Sequence, residues 1–170
     1  MSTLTSRPMS LWWIDFDELY ARHLCRHSQF GINVAHLVAL YGVWYAVYAA
    51  AYTLTGSPWA PVALAMSYFA VLVPNTPLRV LAVLALFLAG LVASVVCVPA
   101  LPWWVFWAYL LPIPLFYKLQ AWSHKVWNIE NDMTEFNRKY TKGLVLFVVL
   151  LFYEVPIVLN YLVFGRKRWA

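Results

Sequence analysis

The chain has 170 residues, 64% of them hydrophobic and only 11% charged, with a mean hydropathy of +0.68. Soluble domains average roughly 45–50% apolar and about 25% charged residues, so most of this chain's surface is not built for water. The net charge of +5 collects at the ends of apolar segments, which suits lipid headgroups, and no motif supports nucleic-acid binding.

Residues 10–28 predict an amphipathic interfacial helix. Trp12, Phe16, Leu19, Tyr20, His23, Leu24 and His27 share one face, and Asp15, Glu18, Arg22 and Arg26 share the other. A spanning helix needs about 20 apolar residues, because the hydrocarbon core is roughly 30 Å thick. The stretches 32–54, 78–98 and 143–164 meet that length, and 59–73 and 103–117 are shorter. Pro112 and Pro114 should kink 103–117, and the last stretch contains Glu154 and Pro156. Residues 118–142 form the one long polar connection, beginning as a helix, and Asp132-Met133-Thr134-Glu135 reads as a capping box that starts another helix near 133. The expectation is an all-α, multi-span bundle of about five hydrophobic helices plus the interfacial helix, forming a single integral membrane domain over 1–170.

The ten Trp and eleven Tyr suit the interface between acyl tails and headgroups. Cys25 and Cys97 supply no disulfide framework and no metal-type pairing. Asp15, Asp17 and Glu18 interrupt the first apolar stretch, which argues against a cleavable signal peptide. Lys and Arg favour the cytoplasmic side of a membrane. They occur before the first span, at Arg79 and throughout 118–142, and are absent from 55–60 and 99–102. That alternation puts His23, His27, His36 and His124 on one cytoplasmic face. Five full spans would place Arg166-Lys167-Arg168 on the opposite side, so either the last segment re-enters around Glu154 and Pro156 or one short segment does not cross.

His23 and His27 are four residues apart, so on a helix they share a face at about 6 Å. Imidazole is neutral near pH 7 and ligates Fe, Zn or Cu, and three or four such rings could hold one metal. The competing reading makes the pair ordinary headgroup-layer residues. His36 lies one turn inside an apolar span, where a polar group needs a partner, and Asn33 can orient it. Gln120, His124, Trp127, Asn128 and Asn131 share one face of the 118–131 helix, while Glu130, Asp132 and Glu135 read as a solvated acidic loop. Glu154 can serve as a ligand, a support for a histidine or a proton carrier, or can bond the backbone freed by Pro156. Nucleophile elbows, phosphate loops and dinucleotide fingerprints are absent.

These residues resemble a known family, the 2-hydroxy fatty acid dioxygenases of the endoplasmic reticulum and their bacterial relatives. Its first motif, a Tyr and a His before an Asn and then a second His nine residues after the first, is similar to Tyr20, His27, Asn33 and His36, with Asn33 displaced by one. Its second motif, Gln then His four residues later, is similar to Gln120 and His124, and Glu154 corresponds to its central Glu in the last span. Ser123 stands where the family has Gly, Asn128 replaces its Glu, and its Pro-rich stretch is missing. The resemblance implies Fe2+-dependent oxygenation of a 2-hydroxy fatty acid to an acid one carbon shorter, in a bacterial inner membrane or the endoplasmic reticulum. His27, His36 and His124 would be ligands, His23 a fourth, and Asn33, Gln120 and Glu154 their support. Two other functions compete: a haem- or chlorophyll-type pigment-binding protein using His36 and His124, and a non-catalytic subunit packed against other membrane proteins.

Overall fold

Asp15 starts the first helix. Its Oδ1 accepts the Glu18 amide proton at 3.0 Å, and acidic residues in the first turn and basic ones in the last oppose the helix dipole. A computed structural model describes residues 10–127, 134–140 and 143–165, without the side chains of Glu135, Arg138 and Lys139. Among the described residues the protein is all-helical: α1 (Phe16–Leu24), α2 (Phe30–Thr55), α3 (Trp59–Leu72), α4 (Leu78–Val96), a 3₁₀ turn (Trp103–Val105), α5 (Phe106–Leu110), α6 (Ile113–Val126), α7 (Thr134–Lys139) and α8 (Leu144–Phe164). The interfacial helix is shorter than 10–28, because Ser10–Trp13 closes a separate turn ahead of the Asp15 cap.

Three helices, α2, α4 and α8, are long and apolar enough to cross a membrane, and α3 is a shorter apolar helix. Large apolar side chains on them face outward, such as Leu78 at 82%, Leu86 at 75% and Leu144 at 77% exposure. Such surface is costly in water and suits lipid. The 103–117 stretch is not one segment. Pro112 has no amide proton, so α5 stops, and α6 restarts with Pro114 in its first turn and runs on into the polar connection. α7 begins near the expected capping box, although Asp132 and Met133 lie outside the described residues.

α2 is the central post, packed against α3, α4, α5, α6 and α8. α6 runs antiparallel to it: Phe116 covers Gly42 and Trp127 covers Gly31. A Cβ at either glycine would collide with the ring, so the absent side chains let α6 come close. This approach carries His124 to the start of α2.

α8 departs from a simple span. Tyr140, just before it, lies beside Arg22 of α1 (guanidinium 5.8 Å from the ring centroid). At its other end the Tyr161 hydroxyl donates to the Ser28 carbonyl at 2.6 Å, and the Arg79 guanidinium sits 5.2 Å from the Phe164 ring. The chain thus enters and leaves α8 at the histidine end of the bundle. Tyr153, fully buried, donates to the Leu11 carbonyl at 2.9 Å and accepts from Asn75 Nδ2 at 3.0 Å. Pro156 cannot donate to the Phe152 carbonyl, and the Tyr68 hydroxyl does so instead at 2.6 Å.

Candidate metal centre

Three elements meet at this end: the last turn of α1 with its extension, the first turns of α2, and the end of α6. The backbone continues past α1 in one more helical turn, with the His27 amide on the His23 carbonyl at 2.9 Å. The His23 and His27 rings therefore stack, their centroids 4.1 Å apart and planes 7° from parallel.

Asn33, fully buried, locks this turn to α2. Its Nδ2 donates to the carbonyls of His27 at 2.7 Å and Gln29 at 2.8 Å. Both amide protons are thus used on carbonyls, so Oδ1 is the acceptor for His23 Nε2–H at 2.9 Å. His23 consequently spends its Nε2 on Asn33.

The same hydrogen-bond assignment fixes the other two tautomers. His27 Nδ1 lies 3.2 Å from the His23 carbonyl, and His36 Nδ1 lies 2.8 Å from the Ile32 carbonyl. A carbonyl only accepts, so both Nδ1 atoms carry the proton and both Nε2 atoms carry a lone pair. Those Nε2 atoms face each other at 3.2 Å. Two lone pairs at that distance repel unless a cation lies between them. Imidazoles on one ion at about 2.0–2.1 Å in tetrahedral geometry stand about 3.3 Å apart, so the spacing fits a metal. Burial pushes His23 down to about 3, and burial with the neighbouring imidazoles pushes His27 well below the usual histidine range.

His124 completes the group. Its ring centroid is 4.7 Å from that of His27 and 5.1 Å from that of His36, and one ligand atom from each of the three residues lies within 4.8 Å of the others. Glu154 Oε1 stands 3.8 Å from His36 Nε2. Pro156 does not claim this carboxylate, since Tyr68 satisfies the freed carbonyl. The carboxylate lies at the histidine end of the bundle, in the wall of the same cavity. Ser123, buried beside His124, donates to the Gln120 carbonyl at 2.7 Å and places its Oγ 3.3 Å from His36 Nδ1.

A cavity of about 340 Å³ opens beside these groups, lined by the four histidines, Glu154 and Gln120 together with Arg22, Arg26, Tyr117, Ala121, Leu150 and Ile157. All seven expected site residues therefore gather here, but in different places. His27, His36 and His124 form the ligand-atom group, with Glu154 at its edge; Gln120 lines the cavity. Asn33 and His23 support the histidines, and His23 stays outside the group. Tyr20 packs against the hydrophobic core. Asn128, Glu130, Asn131 and Asp132 lie outside the described residues. Sequence reasoning did not single out Tyr68, Asn75, Tyr153 and Tyr161; their signal was a phenol or amide in an apolar segment, which demands a partner without naming it.

The fold and site thus define an all-α bundle with membrane-length helices and a three-histidine group at one end. No family model matches the chain, and neither does a curated protein or a solved structure.

Proposed function

We propose that this chain is a multi-pass membrane oxygenase that holds one Fe2+ with His27, His36 and His124 and acts on a fatty acyl lipid. The supporting observation is the facing pair of imidazole nitrogens, both with lone pairs, at 3.2 Å, with a third histidine and a carboxylate beside them. Imidazole and carboxylate donors with open positions suit Fe2+, which would supply oxygen activation when bound. The chain's own groups do the rest. Carbonyls of His23 and Ile32 hold the two Nδ1 protons and aim the Nε2 atoms inward. Glu154 is placed to complete the ligand set or to hold a proton. Apolar lining next to polar groups gives an acyl chain and a polar head room in one cavity. The finer reading is α-oxidation of 2-hydroxy fatty acids, with dioxygen as the oxidant.

Arg22, Arg26 and Arg79 share the histidine end, which supports a cytoplasmic placement of this face in a bacterial inner membrane or the endoplasmic reticulum. A haem- or pigment-type macrocycle between His36 and His124 has less support, because His27 contacts both rings, at 4.6 and 4.7 Å. Absorption of the purified protein separates the two: a Soret or pigment band contradicts the non-haem reading. Metal analysis after anaerobic preparation tests the proposal itself. About one equivalent of iron in the wild type, lost in His36→Ala and His124→Ala, is the expected result. Unchanged metal content in both variants would favour a non-catalytic subunit.

A further inference from the structure

Two arginines line the histidine cavity outside the group that would hold a metal, Arg22 and Arg26, and Arg26 is exposed. Arg22 of α1 lines this cavity and is half-buried, and its Nε is buried without an acceptor among the described residues. A guanidinium keeps its charge at neutral pH. A buried donor left unmatched is costly, so the cavity favours an anion at this place. The flanking aromatic ring of Tyr140 offers the guanidinium a face but no charge to neutralise it. The cavity's carboxylate, Glu154, stands by His36. Leu150 and Ile157 of α8 make part of the lining apolar. An anionic head and a hydrocarbon chain can therefore be satisfied together.

We propose that Arg22 is a specificity-determining residue of this site and holds the anionic head of a single-chain acyl amphiphile beside the three histidines. This rests on the reading of the site as the place where an acyl lipid reacts. A guanidinium fork binds carboxylate and phosphate by the same paired N–H donation, so the test includes both heads.

The full chain in uncharged detergent is titrated with palmitate, hexadecyl phosphate and hexadecanol, which share a chain and differ in head. The wild type should bind at least one anion more tightly than the alcohol, and the tighter anion identifies the head. Arg22→Gln should weaken that anion about tenfold or more, leave hexadecanol unchanged, and keep the wild-type iron content; Arg22→Lys should retain part of the preference. Equal binding of all three probes by the wild type overturns the proposal. So does an anion-to-alcohol ratio unchanged in Arg22→Gln, or in Arg22→Lys should the Gln variant not fold. Absence of iron from the wild type would remove the oxygenase reading, while the binding ratios would still decide the role of Arg22.

Discussion

Asn33 shows how one side chain sets the positions of two neighbouring histidines. Its amide is used at both ends, on two carbonyls of the turn after α1 and on His23. This fixes the turn from which His27 projects, and the His27 and His36 nitrogens then point at each other. The histidines were legible in the sequence, because charge alternation put them on one face and spacing favoured His27, His36 and His124. What was not legible was which nitrogen each would present, since that depends on carbonyl partners set by the fold. His23 illustrates the difference: it has the right type and spacing for a ligand, yet its Nε2 is spent on Asn33. Burial holds its pKa at about 3, whereas an unfolded imidazole titrates near 6.5. Between those values the unfolded state binds more protons, so folded stability falls as pH drops below about 6.5, by up to about 1.4 kcal/mol per pH unit for such a histidine. Thermal unfolding of the metal-free protein should accordingly show a lower midpoint at pH 5 than at pH 7.5. Equal midpoints would contradict the buried, neutral histidine.

At the scale of elements, the apolar runs and their proline and glycine ends marked α2, α3, α4 and α8 to within a few residues. Periodicity could not show that α8 has a repaired backbone. Its break at Pro156 is bridged from another helix, by the Tyr68 hydroxyl on the Phe152 carbonyl, a contact between residues 84 apart in sequence. Removing that hydroxyl leaves a carbonyl unpaired, so Tyr68→Phe should cost about 1–3 kcal/mol in unfolding free energy. In a Pro156→Ala background the restored amide proton takes the carbonyl, and the same change should cost clearly less. A double-mutant cycle reads this directly. An equal cost in both backgrounds would mean that the Tyr68 bond does not serve the proline break.

For the whole molecule, the unexpected result is the course of the last helix. Length and hydropathy alone make Leu144–Phe164 a span. Tyr140 beside Arg22, and Tyr161 on Ser28, instead tie both flanks to one end. If both flanks face one side of a membrane, the conflict between five full spans and a basic C-terminus disappears; Glu154 itself lies at the histidines. A helix of the right length and polarity gives no sign of where its ends lie, so the sequence left two alternatives. In a sealed-vesicle labelling experiment, cysteines appended at the two termini of a variant lacking Cys25 and Cys97 should react from the same side. A cysteine at Ser57, in the turn after α2, should react from the other. Termini on opposite sides would contradict this topology.

These scales converge on whether His27, His36 and His124 hold an ion. The most direct measurement is the metal content of the anaerobically purified wild-type chain beside His36→Ala and His124→Ala. Near-stoichiometric iron in the wild type, absent from both variants, is the predicted result. Less than about half an equivalent in the wild type, or the same metal content in all three proteins, would contradict it.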